Sequence, residues 1–363
     1  MKKGLTILLT VTTILSLTAC GSSSTTTTTA APVATEAAKE TEKAGDSAQT
    51  EAAGDPTQGE KLTLKLATDQ DDKFVTTIAL QKFADDLAAK TDGRITVEVY
   101  SGGQLGDEKS TVEQLQFGTV DIVKCSLAPL SEFAPSLTSM NLPYLFKTKE
   151  HMWKFYNGEM GEELLKSMVG DGIIGLGWVD GGSRCFYSKK LVTKVADLKD
   201  VKTRVQESTI MMSMVESLGG IPTPIAGSEI YSALQTGVVD AAENNVPRYL
   251  DMSHDEVAPY LLLDHHQFIP ESVIMSASTY NKLSEADQKL IKETMAEAIE
   301  SQVEQWAVAE EEALAKCREK NLTVTELEDV SEFREACQPV YDNYFAENPE
   351  QKDFVAKIEA LAD

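Results

Sequence analysis

Basic residues are in short supply. Lysine and arginine number 33 against 58 aspartates and glutamates, a formal net charge of −25. Nucleic-acid binding needs clustered cations to neutralise phosphate, so that class of partner is excluded. Cysteine is scarce too, at five residues in 363, too few for a disulfide framework in a chain of this length. With Cys20 set aside, Cys125, Cys185, Cys317 and Cys337 are expected as free buried thiols, although Cys317 and Cys337 could pair. Histidine occurs four times. His265 and His266 are neighbours, and on a strand they would face opposite ways, so no metal is expected between them. The sequence has no Walker A loop, no H-E-x-x-H and no G-x-S-x-G. Gly170 to Gly175 formally spells G-x-G-x-x-G, but it follows a helix and enters a strand, the wrong order for a dinucleotide site. No cofactor is implied, and with no nucleophile–base or metal set in view an enzyme is not expected. No apolar run reaches the roughly 20 residues that a bilayer span needs.

What is present begins at the N-terminus. Lys2 and Lys3 precede a short apolar run from Leu5 to Leu17, and small residues follow. That is the pattern of a secretory signal over residues 1–19. Leu17-Thr18-Ala19-Cys20 resembles the bacterial lipobox, which implies cleavage before Cys20 and a lipid on its thiol. Residues 20–60 include five consecutive threonines, Thr25 to Thr29, with Val33 as the only large aliphatic residue after Cys20 and before Leu62. Such a stretch buries too little apolar surface to offset its ordering entropy, and a flexible tether is expected. The folded part starts near Lys61 and is long enough for two domains.

There the apolar spacing alternates between the strand and helix periods. Leu62, Leu64 and Leu66 read as a strand; Ile78, Phe83, Ala84 and Leu87 as a helix; Ile95, Val97 and Val99 as a strand after the Asp92-Gly93 turn. A helix from about Glu108 to Phe117 leads to a strand over 120–124, and Leu164 to Val169 to a strand over 173–178. This is the rhythm of an α/β domain. One junction occurs twice: Leu115-Gln116-Phe117-Gly118-Thr119-Val120-Asp121 matches Leu234-Gln235-Thr236-Gly237-Val238-Val239-Asp240. Both read as a helix end, a glycine cap and a strand, as two similar lobes would require. Ser284 then caps a helix that keeps its apolar spacing to about Lys320, roughly 50 Å at 1.5 Å per residue. One small lobe does not need such a helix; a strut across two lobes does.

Polar groups beside glycines cluster in a few stretches: Gly103-Gln104-Leu105-Gly106-Asp107-Glu108, Gly181-Gly182-Ser183-Arg184, Lys202-Thr203-Arg204 and Glu243-Asn244-Asn245. Thr91-Asp92-Gly93-Arg94-Ile95 with Gln104-Leu105-Gly106, Asp197-Leu198-Lys199 with Lys202-Thr203-Arg204, and Glu229-Ile230-Tyr231-Ser232-Ala233-Leu234-Gln235 through Glu243-Asn244 give the chain a resemblance to the solute-binding proteins of tripartite ATP-independent periplasmic (TRAP) transporters. The likeness runs from about Leu62 to past Leu283. It implies an α/β, two-lobed periplasmic-binding-protein-like (type II, TRAP) fold with crossing hinge strands. The lobes would be 61–182 plus 270–305, and 183–269 plus 306–363. It also implies a small organic acid as ligand, TRAP membrane permease subunits as partners, and an extracytoplasmic monomer held to the membrane by lipid.

The resemblance places Arg204 on the family's carboxylate-clamping arginine, Arg184 on a second ligand arginine, Asn244 on an amide facing the carboxylate, and Glu108 on an acid that takes ligand hydroxyls. Read as residues alone, Arg184 also fits an interlobe salt bridge, Glu108 suits the first turn of a helix, and Trp178 reads as core. Glu243-Asn244-Asn245, with Leu263-Asp264 and His266 downstream, looks like the branch that binds hexuronates such as glucuronate and galacturonate. Asn245 and His266 join the candidate site on that basis. Sialic acids, four-carbon dicarboxylates and service to a sensor kinase stay open. The sequence departs from the family at Asp72-Lys73-Phe74, where His-Pro is usual, at Asp240-Ala241 for Asp-Gly, and at Asp200 for Gly.

Overall fold

The computed structural model describes residues 56–362. The expected signal segment, Cys20 and nearly all of the expected tether lie outside the described residues. In order, the chain forms β1 (Leu62–Ala67), α1 (Val75–Lys90), β2 (Ile95–Tyr100), α2 (Glu108–Gln116), β3 (Ile122–Ser126), α3 (Leu127–Leu130), α4 (Lys149–Tyr156), α5 (Glu159–Ser167), β4 (Ile173–Val179), β5 (Ser183–Ser188) and β6 (Lys202–Val205). It continues with α6 (Thr209–Ser217), β7 (Ile221–Pro224), α7 (Ile230–Thr236), β8 (Ala241–Asn244), α8 (Val246–Asp251), β9 (Tyr260–Phe268), β10 (Glu271–Ser276), α9 (Ala277–Tyr280), α10 (Glu285–Glu319), β11 (Thr323–Glu326), α11 (Ser331–Ala336), α12 (Gln338–Glu347) and α13 (Gln351–Ala360).

The strands build two sheets, ordered β2-β1-β3-β10-β4 and β11-β9-β5-β8-β6-β7. Each contains the same parallel unit: β1 lies between β2 and β3, and β6 lies between β7 and β8. The repeated sequence motif sits at matching places. Gly118 and Gly237 both take left-handed φ, 72° and 79°. Each donates its N–H to the helix-end leucine, Leu115 at 3.0 Å and Leu234 at 3.1 Å. The aspartate N–H that follows then bonds the central strand, Asp121 to Lys65 O at 3.1 Å and Asp240 to Lys202 O at 2.7 Å. The left-handed turn releases the helix end in the direction that starts the next strand.

Two extended crossings join the sheets, and α10 makes a third passage, from β10 to β11. The chain leaves β4 through Asp180-Gly181-Gly182 into β5, and returns from β9 through Ile269-Pro270 into β10. They run side by side, with Ile269 N–H bonded to Gly182 O at 3.3 Å. A Cβ on Gly181 would stand 2.7 Å from Ile269 O, so the backbones can approach this closely only with glycine there.

The long helix α10 has 35 residues and starts where the sequence placed it, with Ser284 Oγ accepting from Asp287 N. Ile291, Met295 and Ala298 pack in the core of the first lobe, around β1 and α1. Ala313 and Cys317 pack in the core of the second, against β8 and β9 residues. Asp287 does not complete a capping box: its carboxylate binds Arg94 instead. A third cluster runs from Phe155 of α4 through Met214 of α6 to Phe333, Val340 and Ile358 of the last helices. Trp178 is buried in that cluster. Ile78, expected on the inner face of the first helix, is instead 47% exposed. The strand expected over 120–124 is shifted to 122–126. Cys125, Cys185, Cys317 and Cys337 are all free and buried. No helix among the described residues is long and apolar enough to cross a membrane.

Candidate functional site

The second sheet places two arginines around one buried glutamate. β5, β8 and β6 are neighbours, so Arg184, Glu243 and Arg204 come together across three strands. Arg184 Nε binds Glu243 Oε2, its Nη2 donates to Glu243 O at 3.0 Å, and its Nη1 donates to Asn244 Oδ1 at 3.3 Å. Arg204 Nε donates to Ile225 O at 2.7 Å. Its Nη1 is 3.6 Å from Glu243 Oε1, near enough for attraction but beyond hydrogen-bond reach. Burial alone would raise the Glu243 carboxyl, but Arg184, His266 and Arg204 outweigh it and hold it at about 2. Burial lowers the Arg204 guanidinium from its ordinary value.

His266 is not at the surface of this site. It has no exposed area and lies behind Glu243, with Nδ1 2.8 Å from Asp264 Oδ2 and Nε2 3.7 Å from Glu243 Oε2. Its ring lies 4.6 Å from that of Phe186. Burial would push the imidazole down, yet the two carboxylates overcome this and hold it at about 9. Where the sequence suggested a ligand contact, the structure places a buried imidazole behind Glu243, outside the cavity lining. Asn245 is divided: its side-chain oxygen accepts from Arg248 N at 2.8 Å as the cap of α8, while the residue also borders the cleft.

The first lobe contributes the opposite charge. Asp107 caps α2, accepting from Ser110 N at 2.7 Å, and so presents Glu108 at the first turn. Glu108 Oε1 accepts from Ser126 N at 2.8 Å, Ser126 Oγ at 2.9 Å and Lys124 Nζ at 3.1 Å. Lys124, on β3, also reaches Asp69 at 2.8 Å and Glu271 at 3.1 Å. Burial pushes the Glu108 carboxyl above its ordinary value; Lys124 opposes this, while Asp69 and Glu271 add to it. Burial would raise Asp69 too, but Lys124 and Arg248 hold it at about 2.

Between these walls lies a cleft of two compartments. The outer one, about 310 Å³, is bordered by Asp69, Glu108, Arg204, Gln206 and the 225–229 loop. The inner one, about 30 Å³, has room for about one water. Arg184, Arg204, Asn244 and Asn245 border it from the second lobe, and Asp69, Gln70, Glu108 and Glu271 from the first or the crossing. Five of the six expected site residues are thus gathered at one cavity. Lys124, Asp69, Arg248 and Glu271 were missed. Lys124 did leave a signal: it interrupts the apolar run Ile122-Val123-Lys124-Cys125, where a charge must be paired.

Paired guanidiniums facing a cleft between two α/β lobes suit a small anion. The family description bacterial extracellular solute-binding protein, family 7, matches residues 66–348. The chain belongs to that family. Among relatives of this family 7 protein, a solute-binding protein of Chromohalobacter salexigens is 32% identical over 282 residues, 77% of this chain and 84% of the relative. A TRAP periplasmic solute-binding protein of Roseobacter denitrificans, solved with bound β-D-glucuronate, matches the fold with a TM-score of 0.80 at 35% identity, covering 82% of this chain and 99% of that one. One from Xanthobacter autotrophicus Py2, solved with bound β-D-galacturonate, gives 0.79 at 32% identity, with coverage of 82% and 99%. The two-lobed fold of the family 7 protein, with α10 spanning the lobes, is the architecture of these solved structures.

Proposed function

We propose that this chain is the extracytoplasmic solute-binding component of a TRAP transporter and captures a hexuronate such as glucuronate or galacturonate. The observation that carries the reading is the pair Arg184 and Arg204 bordering one interlobe cavity, each close to Glu243. Structural neighbours with bound hexuronates at 32% and 35% identity support the ligand class. Arg204 and Arg184 clamp the carboxylate, Asn244 donates to it, and Glu108 accepts from sugar hydroxyls. A charged hydrogen bond contributes about 1.5–3 kcal/mol, so two or three supply much of the roughly 8 kcal/mol behind a micromolar affinity. The lobes divide as 61–182 plus 270–305 and 183–269 plus 306–363, and a monomer closes on the ligand without catalysing a reaction. A lipid on Cys20 and the tether that follows keep it beside the permease it feeds, raising its local concentration there.

Thermal shift against acid sugars and other carboxylates tests the reading. Glucuronate or galacturonate at 100 times its dissociation constant should stabilise the chain by about 2.7 kcal/mol. The Arg204→Ala variant should keep its fold and lose this shift. Absence of a shift with every carboxylate, or an unchanged shift in the variant, would overturn the assignment.

A further inference from the structure

The two walls of the cleft are built on one plan with the signs exchanged. On the second-lobe wall, Arg184 and Arg204 border the cavity, and their shared counter-charge Glu243 has no exposed side-chain surface and is not part of the lining. On the facing wall, Asp69, Glu108 and Glu271 border the cavity, with side chains 23%, 16% and 11% exposed. Their shared counter-charge Lys124 has no exposed side-chain surface and lies behind them. A molecule entering the cleft therefore meets guanidinium on one side and carboxylate oxygen on the other.

From this geometry we infer a charge rule for the ligand: one carboxylate, at the arginine wall, and an uncharged hydroxyl-bearing opposite end. The inference rests on the solute-binding reading above and narrows it. A second carboxylate would need a cation at the far wall. Lys124 cannot serve, because three carboxylates already surround its Nζ within 3.1 Å. Arg248 borders the inner compartment, but two carboxylates already match its charge, Asp251 at 2.6 Å and Asp69 at 3.3 Å, whereas Arg184 and Arg204 share Glu243 alone. The acceptors on the far wall want donors. Gln70 is 2% exposed and borders the cavity; its Nε2 donates to Glu271 at 2.9 Å and its Oε1 has no hydrogen-bond partner. A sugar hydroxyl satisfies that oxygen and a carboxylate does not, since an ionised carboxylate can only accept. Like charges brought together in a desolvated site repel strongly, so the far wall acts against dicarboxylates while the arginine wall acts for carboxylates.

Calorimetric titration of the full chain with matched pairs tests the rule: glucuronate against glucarate, galacturonate against galactarate, and gluconate against glucarate. Each pair shares a carbon skeleton and differs in one terminal group; gluconate and glucarate are both open chains, so that pair separates charge from the sugar ring. The monocarboxylate should bind about a hundredfold more tightly than its dicarboxylate partner. In Glu108→Gln the ratio should shrink about tenfold, because one negative charge leaves the far wall and the hydrogen-bonding shape remains. Asp69→Asn should narrow it in the same direction should the first variant fold poorly. Equal binding within the pairs, or an unchanged ratio in both variants, overturns the charge rule and leaves the hexuronate reading standing. Failure of both hexuronates, with gluconate still preferred over glucarate, removes the hexuronate reading and supports the rule. Binding of no monocarboxylate overturns both.

Discussion

Arg248 and Asp69 come from opposite lobes and meet across the cleft. Arg248 Nη2 is 3.3 Å from Asp69 Oδ2 and donates to Asp69 O at 3.0 Å. The same guanidinium lies 5.5 Å from the ring centroid of Phe74. These contacts tie the two lobes together directly.

Arg248→Ala should therefore loosen the contact between the lobes. Losing one partner of a buried pair costs about 3–5 kcal/mol, and Lys124, still beside Asp69, favours the lower end. The ligand-free chain should melt at lower temperature and scatter X-rays with a larger radius of gyration. Unchanged melting and unchanged scattering would show that the strap carries no weight.

Gln302 pins the crossing to the strut. It has no exposed surface in the middle of α10; its Oε1 accepts from Asp180 N at 2.8 Å, and its Nε2 donates to Asp180 O at 2.9 Å and Thr76 Oγ1 at 3.1 Å. Gln302→Leu keeps the bulk and leaves the Asp180 backbone groups unpaired. Each such group costs about 1–3 kcal/mol, so urea denaturation should show a loss of at least about 2 kcal/mol. A smaller loss would mean that water replaces the amide.

His266 sets an alkaline limit. Its imidazole is held at about 9 against an ordinary 6.5. A proton bound more tightly in the folded state stabilises fully below about pH 6.5, and that stabilisation disappears as pH rises through about 9. Melting temperature should fall between these values, by the equivalent of up to about 3 kcal/mol. In His266→Gln that slope should flatten. Parallel pH profiles in the two proteins would remove His266 as its source.

The thiols should be silent in the native state. Cys125, Cys185, Cys317 and Cys337 are buried and unpaired, and burial pushes the Cys317 and Cys337 thiols up to about 11 and about 12. Cys317 packs in the second-lobe core and Cys337 in the cluster around α6. Peptide mapping after alkylation at pH 8 should find these four labelled only under denaturant. Native labelling, or a Cys317–Cys337 disulfide, would contradict the packing.

The sequence by itself determined the elements whose signals are local. The alternation of Leu62, Leu64 and Leu66, the cap at Ser284 and the twice-used glycine junction each depend on neighbours a few residues away, and each appears in place. It also offered Arg204 and Arg184 as candidates, because their flanking motifs are contiguous, and both border the interlobe cavity. Only the tertiary structure decided what stands beside them. Lys124 meets Glu271 across 147 positions, and Arg248 meets Asp69 across 179. Such pairings depend on sheet order and on where the chain crosses between lobes, and no periodicity encodes them. For the same reason Ile78 turned outward and His266 turned inward: the position of a residue along its element sets the direction of its side chain, but the neighbouring elements decide whether that direction meets core, solvent or ligand.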